Sequence, residues 1–198
     1  MRKFIYILVI ILTVCGSSDA IAQIVAPADY SVSPLPRTGL QKGFGTASDV
    51  AAITLPVATL AGVLIAQDWE GLKEAALTAA VATAATYVLK FSVRELRPDH
   101  SNFHSFPSMH STTAFATAAF LQRRYGWKFG GPAYAIATFT AVGRVVGKKH
   151  HWWDCVVGAA IGAGSAYIFT RPWAQRQELA IMPVATPTDI GVTAQISF

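Results

Sequence analysis

Two segments organise this chain: LKFSVRELRPDHSNFHSFPSMHSTTAF over residues 89–115 and GRVVGKKHHWWD over residues 143–154. They hold two conspicuous clusters of basic and histidine residues in an otherwise apolar sequence. Three groups of residues stand out. In the first, Lys90 precedes Arg97-Pro98 by seven residues, and the second is the run Pro107, Ser108, Met109 and His110. In the third, Arg144 precedes His150 by six residues, and Asp154 follows His150 by four. Ionisable residues within or at the edge of apolar spans indicate a functional site.

These residues resemble the three signature motifs of the type 2 phosphatidic acid phosphatase superfamily, K-x6-R-P, P-S-G-H and S-R-x5-H-x3-D. Nine of the eleven fixed letters stand in register, and each would match by chance about 1 time in 20 at average composition. Met109 replaces the motif glycine and Gly143 replaces the motif serine. Neither change removes a catalytic group, so they bear on substrate choice and fine geometry more than on reaction type.

The composition favours a membrane protein. The chain is 53% hydrophobic and only 14% charged, whereas a soluble domain carries about 25% charged residues. The formal net charge of +5 suits an anionic partner, such as a lipid phosphate or an anionic leaflet. Nucleic acid is a poor alternative because the basic residues do not lie on a polar face. With only Cys15 and Cys155 present, no disulfide framework is expected.

The chain divides into four regions. Residues 1–22 are predicted to be a secretory signal, with a basic start, an apolar core and an Ala-Ile-Ala cleavage site at 20–22; the alternative is an uncleaved first membrane helix. Residues 23–48 are predicted to be an extended lead-in, with a short surface helix within it as the alternative, and residues 49–171 a membrane domain. In the tail, 172–198, alternation over 190–198 predicts a strand that pairs with 179–184 as a small β-hairpin.

We predict an all-α integral membrane bundle of about five spans: residues 49–67, 74–91, 107–121, 132–146 and 154–169. Gly158-x3-Gly162 in the last span predicts close helix packing. If the spans alternate in direction, all three motifs meet on one membrane face. A leader that ends at Ala22 puts this face outside, which predicts an active site facing the periplasm from a bacterial inner membrane.

The motif residues have the chemistry that a phosphoester requires. Lys90, Arg97 and Arg144 supply positive charge for the phosphate oxygens, and a helix would place Lys90 and Arg97 on one face, two turns apart. Ser108 and the amides that open the third helix add a helix N-terminus, which favours anions. If the fifth helix begins near Lys149, Asp154 holds one ring nitrogen of His150 and leaves the other to attack.

The resemblance implies specific roles. His150 would be the nucleophile that forms a phospho-histidine, Asp154 would orient it, and His110 would be the general acid. The phosphate site would comprise Lys90, Arg97, Ser108 and Arg144, with Met109 beside the phosphate, and the family requires neither a metal nor another cofactor.

These observations predict a bacterial envelope enzyme that removes a phosphate or pyrophosphate from a membrane lipid. By resemblance, the candidate substrates are lipid A phosphates, undecaprenyl pyrophosphate, phosphatidylglycerophosphate and phosphatidic acid. The alternatives are a lipid phosphotransferase, which Met109 favours slightly, a soluble periplasmic acid phosphatase, a vanadium-dependent haloperoxidase, and a non-catalytic membrane scaffold.

Overall fold

The structure is a computed structural model that describes residues 33–173, 179–185 and 190–196. The signal predicted over residues 1–22 lies outside the described residues. The described part contains five helices and two strands: α1 (Gly39–Ile65), α2 (Trp69–Ser92), α3 (Met109–Tyr125), α4 (Trp127–Val146), α5 (Trp152–Phe169), β1 (Leu179–Ala185) and β2 (Ile190–Ile196). The expected all-helical bundle is therefore present, and an antiparallel pair of strands follows it.

The start of α1 corrects the predicted lead-in over residues 23–48. The helix begins at Gly39, ten residues before the predicted span, and residues 39–48 are helical. Thr38 fixes this start because its hydroxyl accepts the amide of Gln41 at 3.3 Å, while the Gln41 side chain accepts the amide of Thr38 at 3.0 Å. The three glycines at 39, 43 and 45 suggested a break, but the reciprocal cap overrides their low helix propensity.

The other four described helices each extend beyond at least one predicted end. The Asp68 side chain accepts the amide of Gly71 at 2.8 Å and starts α2 at Trp69 instead of residue 74. Between α3 and α4 the predicted basic turn over residues 122–128 shrinks to Gly126, whose φ of +85° reverses the chain within one residue. Helix α5 begins at Trp152, two residues before the predicted start.

A buried ionic cluster ties the ends of helices together opposite the motif residues. The Arg124 guanidinium donates to both carboxylate oxygens of Asp68, at 2.5 and 2.7 Å, and to Glu74 at 3.2 Å. Tyr125 donates to Asp68 at 2.8 Å. Although burial opposes ionisation of Asp68, the Arg124 and Gly71 hydrogen bonds hold its pKa below the usual value. The start of α2 and the end of α3 are thereby fixed to each other.

The bundle is lined with small and polar side chains and carries large apolar ones outside. Its cores are built from alanines of α3 and α4 around Leu55, and from Val63, Phe120 and Ala166. Large residues such as Ile65, Ile168 and Leu40 are instead exposed. Interiors of small residues with apolar exteriors are characteristic of helix packing in lipid. By length and composition, two of the described helices, α1 and α2, are able to cross a membrane.

The predicted close packing of α5 is confirmed. A Cβ on Gly158 would lie 2.6 Å from the carbonyl oxygen of Ser108, and a Cβ on Gly162 would overlap the backbone of Thr112. Helix α5 therefore approaches α3 at a distance that only glycine permits. This contact carries Asp154, at the start of α5, against the segment that opens α3.

We expect Gly162→Ala to destabilise the protein, by about 1–3 kcal/mol, because the added methyl overlaps the α3 backbone. The matched control is Gly164→Ala on the same helix, where a Cβ would meet nothing within 4 Å. This control should be neutral or slightly stabilising, since alanine is the better helix former. Thermal unfolding in one detergent compares the two variants, and equal midpoints would contradict the packing.

Candidate active site

The two residues of the first motif lie on different elements, which corrects the prediction of a shared helix face. Lys90 is in the last turn of α2, but the helix ends at Ser92 and Val93 is extended. Arg97 therefore lies in the loop beyond, where its amide donates to the carbonyl of Asn102 at 3.0 Å. Both side chains are buried. A loop can turn Arg97 back toward the bundle, whereas a continued helix would have carried it a further turn away.

Lys90 holds the loop that precedes α3. Its ammonium donates to the carbonyl oxygens of His104 and Pro107, at 2.9 Å each. These two bonds fix the chain immediately before Ser108. Lys90 therefore shapes the entrance to α3 as well as adding positive charge to this end of the bundle.

Helix α3 opens at the same place. Ser108 is its N-cap and is fully buried; its hydroxyl accepts the amide of Ser111 at 3.4 Å, and its own amide donates to the carbonyl of Asp154 at 3.0 Å. Met109 is the first residue of α3 and is buried, and His110 follows it. A helix N-terminus presents amide groups that lack intrahelical acceptors, so it is suited to an anion.

His150 is held by a residue outside the motifs. Its Nδ1 lies 2.7 Å from the carbonyl oxygen of Ser105 and 3.6 Å from Oδ2 of Asp154. Because a carbonyl oxygen only accepts, Nδ1 must carry the proton, and Nε2 of the neutral ring keeps its lone pair. The predicted contact between Asp154 and His150 is present, but at 3.6 Å it is longer than a hydrogen bond, and the shorter contact of Nδ1 is to Ser105. His150 precedes α5 instead of lying in its first turn.

Asp154 contacts Ser105 as well as His150. Oδ2 of Asp154 accepts from the Ser105 hydroxyl at 2.5 Å and from the amide of His151 at 2.8 Å. The same Ser105 supplies the carbonyl that accepts from His150. Ser105 was missed in the sequence because a serine in a polar loop carries no distinctive signal until the fold places it between these two residues.

The surroundings of His150 keep its ring neutral. Burial lowers the pKa of His150 well below its ordinary value; the interaction with Asp154 opposes this, and the positive charges of Arg97, Arg144 and Lys90 add to it. The three motif cations therefore all act on one buried imidazole. A neutral ring with an available lone pair among cations is arranged to attack an anionic centre.

Asp49 is a second residue that the sequence analysis missed. Oδ1 of Asp49 lies 3.1 Å from Nε2 of His110 and forms an ion pair with Nη1 of Arg144. Arg144 is in the last turn of α4 and is buried. An acidic residue within a long apolar helix was the available signal, but the predicted span began at Asp49, which placed the carboxylate at its edge.

Asp99 organises the rim of the site. Its Oδ2 lies 3.4 Å from Nζ of Lys149 and 3.8 Å from Nε of Arg37, and its carbonyl accepts the amide of Leu35 at 2.8 Å. Burial disfavours the charged carboxylate, but bonds from Ser101 and the charge of Lys149 hold the pKa of Asp99 below its usual value. The segment before α1 is thereby anchored beside His150.

In the described part of the chain, one group of potential metal ligands converges. The ligand atoms of Glu95, His151 and Asp154 lie within 4.8 Å of one another. However, Oδ2 of Asp154 already accepts from Ser105 and from the His151 amide, and the Trp153 indole donates to Glu95 at 2.9 Å. The carboxylates of Asp154 and Glu95 thus already accept hydrogen bonds from protein donors. These three residues form part of the hydrogen-bond network around His150.

A neutral histidine, three buried cations and a helix N-terminus, at one end of an apolar bundle, are suited to an enzyme that acts on phosphoesters. The family model of the PAP2 superfamily matches residues 71–178. The chain is also 31% identical over 152 residues to the lipid A 4'-phosphatase of Helicobacter pylori strain J99, covering 70% of this chain and 77% of the relative. The chain therefore belongs to the PAP2 superfamily. It is a membrane lipid phosphatase of that family.

A second curated protein is similar in sequence over a shorter segment, and two solved structures are similar in fold. The lipid A 1-phosphatase of Porphyromonas gingivalis is 38% identical over 76 residues, which covers 37% of this chain and 17% of that protein. Aquifex aeolicus LpxE has a similar fold, with a TM-score of 0.58 and 22% identity over 67% of this chain and 86% of that chain. The structure of a transmembrane PAP2-type phosphatidylglycerolphosphate phosphatase of Bacillus subtilis is also similar, with a TM-score of 0.54 and 20% identity. The match covers 85% of this chain and 94% of that chain.

We expect Ser105→Ala to lower kcat about tenfold and to leave KM nearly unchanged, because the hydroxyl supports Asp154 without reaching the substrate. The carbonyl that accepts from His150 remains in this variant, so some activity survives. Ser101→Ala is the matched control: Ser101 is an exposed serine of the same loop that bonds to Asp99. Steady-state kinetics on a lipid phosphate measures both. Equal kcat values in the two variants would show that the Ser105 hydroxyl does not support catalysis through Asp154.

Proposed function

We propose that this protein removes a phosphate monoester from lipid A at the outer face of the bacterial inner membrane, through a phospho-histidine on His150. The observation that carries the chemistry is the His150 ring itself. Its Nδ1 is tied to the Ser105 carbonyl, which leaves Nε2 as the nucleophile among Lys90, Arg97 and Arg144. The proposal that lipid A is the substrate is based on the relatives, since two curated proteins similar to this chain are lipid A phosphatases.

In the first step, Lys90, Arg97, Arg144 and the amides at the start of α3 hold the phosphate oxygens. Nε2 of His150 attacks phosphorus, and the bond to the lipid oxygen breaks. His110 donates the proton from its Nε2 to that departing oxygen, which leaves as a sugar hydroxyl. Fixed positive groups stabilise the charge that develops on the phosphoryl oxygens.

In the second step, water attacks the phospho-histidine. His110, now lacking its proton, accepts one from this water; the N–P bond breaks and inorganic phosphate leaves. The Ser105 and Asp154 pair keeps the His150 ring in the reactive tautomer in both steps. Three cations and a helix N-terminus neutralise the phosphate charge, so we propose that the reaction requires no metal ion.

The proposed setting follows from the direction of the helices. If all five helices cross the membrane in alternation, the end of α2, the start of α3, the end of α4 and the start of α5 share one face. The motif residues lie at those ends. The leader proposed for residues 1–22 puts this face outside. The apolar exterior of the bundle supports a membrane position for the helices.

The substrate is tested by phosphate release from a panel of lipids, with purified protein in detergent and excess chelator. The panel comprises lipid A, phosphatidylglycerophosphate, phosphatidic acid and undecaprenyl pyrophosphate, with His150→Ala as the control. We expect the highest kcat/KM on lipid A, and mass spectrometry identifies which of its two phosphates leaves. Faster release from another lipid would reassign the substrate, and transfer to an acceptor lipid would indicate a transferase.

Orientation is tested by cysteine labelling in intact spheroplasts, after Cys15 and Cys155 are replaced by serine. Ser101→Cys, in the exposed loop beside the site, should react with a membrane-impermeant maleimide. Lys128→Cys, exposed at the opposite end of the bundle, should react only after lysis. Gly126 is a poor label position because its φ of +85° strains a side chain. The reverse labelling pattern would place the site in the cytoplasm.

A further inference from the structure

The proposed phosphate site already contains an anion of the protein's own. Oδ1 of Asp49 contacts both Nε2 of His110 and Nη1 of Arg144. These are the two groups assigned to proton donation and to oxygen binding. A carboxylate oxygen and a phosphoryl oxygen accept the same hydrogen bonds from arginine and histidine. Asp49 therefore satisfies, in this structure, two partners that a substrate phosphate also needs.

Exposure shows how the two anions can exchange. The Arg144 side chain is 4% exposed, whereas the Asp49 side chain is 46% exposed. Arg144 is thus held within the bundle, while the Asp49 carboxylate that contacts it lies at the surface of the bundle. An arriving phosphate can displace Asp49 toward solvent without moving Arg144.

The glycine at position 143, where the family motif has serine, allows Asp49 to reach Arg144 and His110. Where the motif has serine this chain has Gly143, and a Cβ at that position would lie 2.7 Å from the Cβ of Ser48 and 3.1 Å from the Phe44 carbonyl oxygen. Only glycine allows α1 and α4 to approach this closely. Ser48 precedes Asp49, and Gly143 precedes Arg144. The close approach of Ser48 to Gly143 therefore brings the side chains of Asp49 and Arg144 into contact.

We propose that Asp49 is a resident anion of the phosphate site: its carboxylate bridges His110 and Arg144 when the site is empty, and phosphate must displace it. In the empty site, by accepting from Nε2 of His110, it also holds a proton on that nitrogen before substrate arrives. The displaced carboxylate remains close enough to repel inorganic phosphate, which speeds release of the product. Asp49 is thus a positioning residue that sets phosphate affinity. This inference rests on the proposed phosphate site.

Binding of inorganic phosphate to the purified protein in detergent, measured by isothermal titration calorimetry, tests this without turnover. Asp49→Asn removes the charge and preserves the shape, so it should bind phosphate at least about tenfold more tightly than wild type. Asp49→Ser, a second uncharged variant, should change in the same direction. Asp49→Glu restores the charge and should bring the affinity back toward wild type. Glu70→Gln, on α2 at the opposite end of the bundle, where the side chain is 38% exposed, is the control for general loss of negative charge and should change affinity much less.

Lipid kinetics supply the second measurement. In Asp49→Asn, KM and kcat should both fall and inhibition by phosphate should increase, because phosphate binds more tightly and leaves more slowly. A purely structural role would instead weaken phosphate binding in every Asp49 variant. Unchanged or weaker phosphate binding in Asp49→Asn would overturn the inference even if lipid A is hydrolysed. Tighter binding in a protein that hydrolyses no lipid A would retain the inference and overturn the proposed substrate.

Discussion

His150→Ala is expected to reduce lipid phosphate hydrolysis by at least about 10⁴-fold, since loss of a catalytic nucleophile has effects of this size. The ring is buried, its Nδ1 donates to Ser105, and burial together with three nearby cations keeps it neutral. In the proposed mechanism no other side chain can form the covalent intermediate. Initial rates of phosphate release, measured with enough enzyme to detect the residual reaction, give the reduction.

The control for His150 is another histidine of the same face. His100 has a φ of +57°, which asparagine tolerates better than alanine, so the control variant is His100→Asn. We expect this variant to keep its activity within about threefold of wild type, as surface substitutions away from the site do. A well-folded His150→Ala protein with wild-type rates would remove His150 from the mechanism.

Arg144→Ala is expected to reduce kcat/KM by about 10³-fold or more, because removal of one fixed donor to developing negative charge costs 10²–10³ by itself. The loss should exceed that of an ordinary donor because Asp49 is then left in the site without its arginine partner. Arg144→Lys should restore little, since an ammonium does not reproduce the planar fork of a guanidinium.

The contribution of Asp49 can be separated with a double variant. Arg144→Ala combined with Asp49→Asn should be more active than Arg144→Ala alone, because the carboxylate that Arg144 no longer neutralises is gone. Residues in direct contact show such non-additive effects. Arg94→Ala, at an exposed arginine of the same loop region, is the control and should stay within about threefold of wild type. Strictly additive losses would show that Arg144 and Asp49 act independently.

The sequence was sufficient to predict the five helices and the residues that meet at one end of the bundle. Motif spacing locates these residues, and apolar runs locate the helices between them. Helix ends were predicted poorly because they depend on single side chains. Thr38 extends α1 by ten residues through a reciprocal cap, and Gly126 replaces a predicted seven-residue turn.

Two features of the site depend on tertiary contacts that no local pattern encodes. Ser105 reaches His150 and Asp154 only because the loop after α2 folds back over the start of α5. Asp49 reaches Arg144 only because Gly143 lets α1 approach α4. The spacing of His150 and Asp154 predicted a direct contact; the two side chains lie 3.6 Å apart, and each makes a shorter hydrogen bond to Ser105.

Hydrolysis of a lipid phosphate through a covalent bond to His150 is tested most directly by trapping the intermediate. Wild-type protein is mixed with lipid A carrying a radiolabelled phosphate, quenched in base within milliseconds, and digested for mass spectrometry. We predict an acid-labile, base-stable phosphoryl group on the peptide containing His150, absent from His150→Ala and present in His100→Asn. Rapid turnover without any such group, or an equal label in His150→Ala, would contradict the mechanism.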